Sequence, residues 1–202
     1  KERYSLRNKI AADLHDEIGS TLTSISILSN VSQQAMEQQP QQAKEMLQQI
    51  ALQSKTVQQS MSDIVWAIRS DNDKIENLLV RMREYAAQTL EQIGITTNIH
   101  IDDVILHKTL LMESRKELLL IYKEAVNNIA KHSGATEVNV ALHKYDHHLL
   151  LEIKDNGTWK GNAKTSGTGI GSMQQRATAI RGKAEIIHAG EGTVVKISIP
   201  IT

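Results

Sequence analysis

The 202-residue chain balances 23 lysines and arginines against 23 aspartates and glutamates. A formal net charge of zero leaves no excess of basic groups to draw nucleic acid or an acidic membrane surface as the main partner. Cysteine is absent, which excludes disulfides and thiolate chemistry, and with aromatics at 3 % and no phenylalanine the core has to be aliphatic.

No apolar run is long enough to span a bilayer, and no signal peptide stands before the first helical pattern. The chain opens on Lys1 and not on Met, and reads as a soluble fragment of something longer. A first helix is expected from about Arg3 to Gln39. Leu14, Ile18, Ile25 and Leu28, with Ala11 and Thr21 at the intermediate heptad positions, form a stripe that would face a partner helix. His15 follows stripe member Leu14 directly, which puts it on the flank, toward water. A neutral imidazole is a good nucleophile toward phosphorus near pH 7. The neighbouring carboxylate of Asp16 would fix its tautomer and absorb the developing positive charge. A solvated histidine beside two acids is the plainer reading of the same residues.

The first helix ends on a Gln-rich stretch, and Pro40 both breaks it and opens the second. Ala43, Leu47, Ile50, Ser54, Val57, Met61, Ile64 and Ile68 give that second helix a heptad seam. Two such helices make a hairpin, and two hairpins bury seams of this length as a four-helix bundle, so a homodimer is expected.

Ser70-Asp71-Asn72-Asp73 interrupts the pattern and can cap a third helix carrying Leu78, Leu79, Met82, Tyr85, Ala86 and Leu90, which stops at Gly94. Residues 95–101 alternate as a strand. A helix over about 110–132 follows, then strands near 137–144 and 148–155, a Gly-rich loop, a helix near 172–181, and strands at 183–188 and 193–200. Elements in this order predict a sheet covered on one face by helices, an α/β two-layer sandwich.

On the helix around 115–132, Glu124, Asn128, Lys131 and His132 fall at i, i+4, i+7 and i+8 and share one face. An acid, an amide oxygen, an ammonium and an imidazole there suit Mg²⁺ and a polyphosphate, because Mg²⁺ takes few protein oxygens and completes its shell with water and phosphate. Taken alone, the same set is an ordinary solvated face. Asp155-Asn156-Gly157 places a carboxylate where a strand leaves the sheet, or is simply a turn. Ser166-Gly167-Thr168-Gly169-Ile170-Gly171 runs into a helix, where glycines let backbone N–H groups approach phosphate; a flexible linker looks the same. Gly192-Thr193 reads as a hairpin turn.

Together, in this order, the pieces resemble sensor histidine kinases of two-component systems. The subgroup is the one whose phosphoacceptor helix reads Arg-x-x-Ile-Ala-x-Asp-Leu-His-Asp, here Arg7, Ile10, Ala11, Asp13, Leu14, His15 and Asp16. The second half is similar to the Bergerat-type ATP-binding fold of gyrase, Hsp90 and MutL. Its asparagine box is Glu124 to Asn128 through Lys131-His132. Asp155-Asn156-Gly157 is the first glycine box; Gly167-Thr168-Gly169-Ile170, with Met173 and Arg176-Ala177, is the second.

The resemblance implies a dimerisation and phosphotransfer hairpin over 1–72 and a catalytic ATP-binding domain over 73–202. His15 would be phosphorylated from ATP and Asp16 would activate it. Asn128 would ligate Mg²⁺, with Glu124 orienting a water or the metal shell. Lys131 and His132 would contact the phosphates, and Asp155 would accept the adenine amino group. Gly157, Gly167 and Gly169 would let a lid close, and Thr193 would lie near adenine. The implied partners are a second copy and the receiver domain of a response regulator, with the fragment cytoplasmic and its parent membrane-anchored. Two positions depart from the family's pattern. Trp159 stands where the first glycine box has its second glycine, and Ser20 stands where the phosphatase motif His-Asp-x-x-x-Gln has its amide. The rival readings are a Bergerat-fold ATPase or serine protein kinase without phosphohistidine, and a degenerate dimeric signalling module.

Overall fold

A computed structural model describes residues 2–158, 167–188 and 192–201, with side chains over 18–158, 169–188 and 192–201. The chain divides into two compact units, Lys1–Trp66 and Ala67–Thr202.

The first unit holds α1 (Glu2–Ala35) and most of α2 (Pro40–Ile68). The turn between them forms earlier than expected, with Met36 N–H donating to Gln33 O at 3.4 Å and Gln39 N–H to Ala35 O at 2.7 Å. Pro40 then occupies the first helical position, where its missing N–H costs nothing. On α1 the stripe members Ile18, Thr21, Ile25 and Leu28 are half-buried, and Ser32 is buried beyond them.

On α2 the expected seam splits. Ala43, Val57 and Ile64 are buried, but the row completing the inward face is Met46, Gln53 and Ser60, one residue earlier than the heptad predicts. Leu47, Met61 and Ile68 stay 46 %, 46 % and 43 % exposed. The apolar arc is wider than one seam, so a single neighbour covers only part of it.

The second unit is a five-stranded sheet in the order β1-β2-β3-β5-β4, built from β1 (Thr96–Ile101), β2 (Glu137–Tyr145), β3 (His148–Asp155), β4 (Lys183–His188) and β5 (Thr193–Pro200). β1 is parallel to β2, and the other neighbours are antiparallel. Strict alternation decides which face is covered. Val138, Val140 and Leu142 pair in register with Asp155, Ile153 and Leu151 and are buried, as are Val195, Ile197 and Ile199 on β5. α3 (Ile75–Thr89), α5 (Met112–Asn128) and α6 (Gly167–Ala179) supply the second layer through Leu78, Met82, Leu118, Tyr122, Val126, Met173 and Ala177, all buried. A short α4 (Asp103–Leu106), for which the sequence gives no periodic signal, fills part of the crossover from β1 to α5. α3 is followed by a 3-10 turn that ends at Gly94, whose φ of 82° takes the left-handed stop.

Arg115 on α5 is the largest charged group in this core, 1 % exposed. Its guanidinium donates to Asp73 Oδ1 at 2.5 Å, Ala67 O at 2.5 Å, Leu110 O at 3.3 Å and Arg69 O at 3.4 Å. It thereby satisfies carbonyls that the end of a helix leaves open. Among the described residues no helix is long and apolar enough to cross a membrane.

Candidate active site

Asp155 is the last residue of β3 and only 3 % exposed. The inward register of the strand, in which every second residue is apolar, carries this carboxylate into the edge of the core. Gly157 N–H donates to its Oδ1 at 2.9 Å, and Thr193 N–H donates to the same carboxylate from β5. Burial pushes its carboxyl above the ordinary aspartate value, while these N–H groups and nearby His188 pull it down. The turn itself is fixed by Asn156, whose Oδ1 accepts the N–H groups of Thr136 and Glu137 at 2.9 and 3.0 Å. β5 comes this close because residue 192 is glycine: at φ 113°, a Cβ there would run into Asp155 O.

Opposite Asp155 stands the C-terminal end of α5. Its two adjacent asparagines divide the labour. Asn127 accepts Tyr85 Oη–H at 2.9 Å and ties α5 to α3, with Lys123 Nζ 4.6 Å from the centre of the same tyrosine ring. Asn128 and Glu124, one turn apart and both half-buried, face α6. The α-helix ends at Asn128 and continues as a π turn over Ile129–Ser133, capped by Gly134 at φ 61°. A single wide turn of this kind shifts the register of the residues behind it. Lys131 and His132 are accordingly exposed, not continuous with the half-buried face of Glu124 and Asn128. Ser133 closes the turn by donating to Ile129 O at 2.8 Å and offering its carbonyl to Thr158 N–H at 2.8 Å.

The Gly-rich segment is already helical: α6 begins at Gly167, several residues before the expected start. Gly169 lies against α5, where a Cβ would collide with Glu124 Oε1 and sit 3.5 Å from Asn128 Nδ2. Asn128, Asp155, Ile170, Met173, Ile186 and Thr193 line the pocket enclosed between α5, α6 and the sheet. Its cavity of about 20 Å³ has room for one water. A larger concavity of about 880 Å³ lies along the flank of α3 and the polar sheet face and holds none of the motif residues.

Of the expected residues, Asn128, Asp155 and Thr193 line the pocket; Glu124 and Gly169 face each other beside Asn128, Gly157 donates to Asp155, and Lys131 and His132 are exposed on the π turn. His15 and Asp16 are on α1, with side chains outside the described residues; Gly167 starts α6, and Trp159 also lies outside them. Sequence reasoning passed over Ile186 and Val195, which supply the apolar wall from β4 and β5, and His188, whose Nδ1 lies 3.3 Å from Thr193 Oγ1 at the rim. Only strand alternation, counted from Asp155 across the register, points to them.

Among the described residues no three His, Cys, Asp or Glu gather into a metal cage. The donors present, a carboxylate and an amide one turn apart, are hard oxygens of the kind Mg²⁺ accepts when phosphate supplies the rest of its shell.

Residues 7–74 match the HisKA_3 family model, described as histidine kinase. The chain is 26 % identical over 200 residues to the sensor histidine kinase LiaS of Bacillus subtilis (strain 168), covering 96 % of this chain and 54 % of that protein. It is 28 % identical over 196 residues to the sensor histidine kinase DesK of the same organism, covering 96 % and 50 %. To the histidine-protein kinase/phosphatase UhpB of Salmonella typhimurium it is 27 % identical over 201 residues, covering 97 % and 39 %. The chain thus spans about half or less of the relatives it matches. The fold is shared with the Acinetobacter baumannii histidine kinase AdeS, at TM-score 0.62 and 13 % identity, over 89 % of this chain and 96 % of that one. It is shared too with the ATP binding domain of PrrB from Mycobacterium tuberculosis, at TM-score 0.51 and 21 % identity, over 64 % and 95 %. With residues 7–74 matching a histidine-kinase model, sensor kinases similar along nearly its whole length and a second part that shares the fold of a histidine-kinase ATP binding domain, this chain is similar to sensor histidine kinases throughout.

Proposed function

We propose that this chain is the catalytic core of a two-component sensor, phosphorylating its own His15 from ATP and passing the phosphoryl group to an aspartate of a response regulator. Residues 1–72 act as the dimerisation and phosphotransfer hairpin and 73–202 as the nucleotide-binding domain. The observation that carries the reading is the convergence of Asp155 and Asn128 on one pocket, with Glu124 beside Asn128 at Gly169 of α6, in a chain whose α1 holds the Asp-Leu-His-Asp sequence.

Chemically the assignments are separable. Asp155 is a buried acceptor with its oxygens oriented by two N–H groups, suited to an exocyclic amine between apolar walls. Asn128 and Glu124 present oxygens on the polyphosphate side of that pocket, where Mg²⁺, when bound, would neutralise phosphate charge. Lys131 and His132, exposed on the π turn, reach phosphates that protrude from the pocket. On α1 the imidazole nitrogen of His15 attacks the γ-phosphorus, the bond to the bridging oxygen breaks, and ADP departs. Asp16 holds the imidazole N–H and stabilises the charge that develops.

The exposed row Leu47, Met61 and Ile68 supports a homodimer, since a second hairpin would cover what α1 leaves open. The parent protein is a membrane-anchored sensor whose cytoplasmic portion includes this chain. Incubation with γ-labelled ATP and Mg²⁺ tests the reading. Acid-labile label that disappears in His15→Ala is expected; label stable to acid, or retained in His15→Ala, would refute it.

A further inference from the structure

Two helices meet at the pocket, and their relative register is set some distance from it. α6 runs antiparallel to α5. Near one end Gly169 lies against Glu124 and Asn128. Seven residues on, Arg176 Nη1 donates to Glu117 Oε2 at 3.0 Å, and Glu117 itself stands seven residues before Glu124. Seven residues is close to two helical turns, so both pairs fall on the facing sides of the two helices. Glu117 is largely buried, with 15 % of its side chain exposed, and Lys116 Nζ at 3.8 Å is its other cation. Between the two contacts lies buried Met173, a flexible apolar side chain that packs equally well at slightly different heights. Apolar packing alone would let α6 slide along α5; a directional, charge-assisted hydrogen bond resists that slide.

We propose that Arg176 is a positioning residue for the nucleotide site. By holding Glu117 it fixes the height of α6 on α5, and so the distance of the Gly167–Gly171 turn from Glu124 and Asn128. It touches neither nucleotide nor phosphoacceptor. The inference rests on the function proposed above and adds how the site is kept in shape. Loss of the pair would let the glycine turn drift. Because small misplacements of groups around a phosphate are expensive, the effect should fall on nucleotide binding more than on fold stability.

The test uses the full chain, with ATP binding followed by calorimetry and autophosphorylation by γ-label. Arg176→Gln should weaken ATP about tenfold in both Kd and KM, with kcat within about twofold. Arg176→Lys should recover part of the loss, and the exchanged pair Glu117→Arg with Arg176→Glu should recover most of it. Unchanged Kd and KM in Arg176→Gln, with or without a lower melting temperature, would overturn the inference and leave a merely structural ion pair. Should Arg176→Gln fail to fold, Glu117→Gln breaks the same bond from the other side, and unchanged ATP affinity there overturns it equally. A wild-type chain that neither binds ATP nor takes up label would instead refute the function itself, which separates the two failures.

Discussion

Replacing Asp155 by asparagine should separate stability from nucleotide binding, with opposite signs. The carboxylate is 3 % exposed and its pKa is raised by burial, so the charged form is disfavoured in the fold. Asparagine removes that charge and keeps an amide oxygen to accept Gly157 N–H, so the melting temperature should hold or rise. Binding moves the other way. A hydrogen bond to a charged acceptor contributes about 1.5–3 kcal/mol, and the new amide NH₂ meets an adenine amine donor to donor. At about 1.4 kcal/mol per decade this is roughly a 10- to 150-fold loss of ATP affinity. Calorimetry with ATP beside a thermal melt reads both. An unchanged Kd would refute the placement of adenine at Asp155, whatever the melt shows. The pH dependence follows the same shift. A folded pKa above the unfolded 3.8 means that the group's contribution to stability is fully present below 3.8 and is lost as pH rises through the folded value. ATP affinity, which needs the carboxylate, should instead fall on acidification, starting at a higher pH than an ordinary aspartate would give.

Asn128→Asp adds charge beside Glu124 and the phosphates and should reduce autophosphorylation by at least about tenfold; equal label at saturating ATP would remove Asn128 from the metal side of the site. Met61→Asp should dissociate a dimer in sedimentation while the hairpin stays folded, because Met61 is 46 % exposed in the single chain. By contrast Ile64→Asp buries an unpaired carboxylate and should unfold the hairpin at a cost of several kcal/mol; the same outcome for both variants would place the interface elsewhere. Ser20 is exposed on α1, five residues beyond His15, and its hydroxyl is too short to hold an attacking water where the family has glutamine. Wild-type protein should therefore dephosphorylate its regulator weakly and Ser20→Gln should do so faster; rapid loss of label with the wild type would exclude this.

Much of the fold was legible because strong local patterns agree with it. Alternation over 148–155 and 193–200 both located the strands and chose their buried face, and Pro40 and Gly94 marked boundaries the structure keeps. What stayed hidden depends on neighbours remote in sequence. The heptad reading of α2 chose Leu47 and Met61 over Met46 and Ser60, since hydrophobicity favours the first pair and only the path of α1 decides between them. The π turn after Asn128 leaves no mark in composition, so Lys131 and His132 were expected on the face of Glu124. Asn127 and Asn128 look alike until Tyr85, 42 residues earlier, claims one of them. The partnership of Arg176 with Glu117 spans 59 residues and likewise had no local signal.

Arg115 bears on where the second unit can be cut. Its buried guanidinium takes acceptors at Ala67 O, Arg69 O and Asp73, all contributed by the stretch that leads out of α2. A fragment starting at Asp73 keeps the Asp73 carboxylate and Leu110 O but withdraws two carbonyl acceptors from a buried permanent cation, at about 1–3 kcal/mol for each. Starting at Ala67 retains all three. The second unit thus carries the last turn of a helix as its own N-terminal plug, and the amides of that turn should exchange as slowly as those of the α5 core.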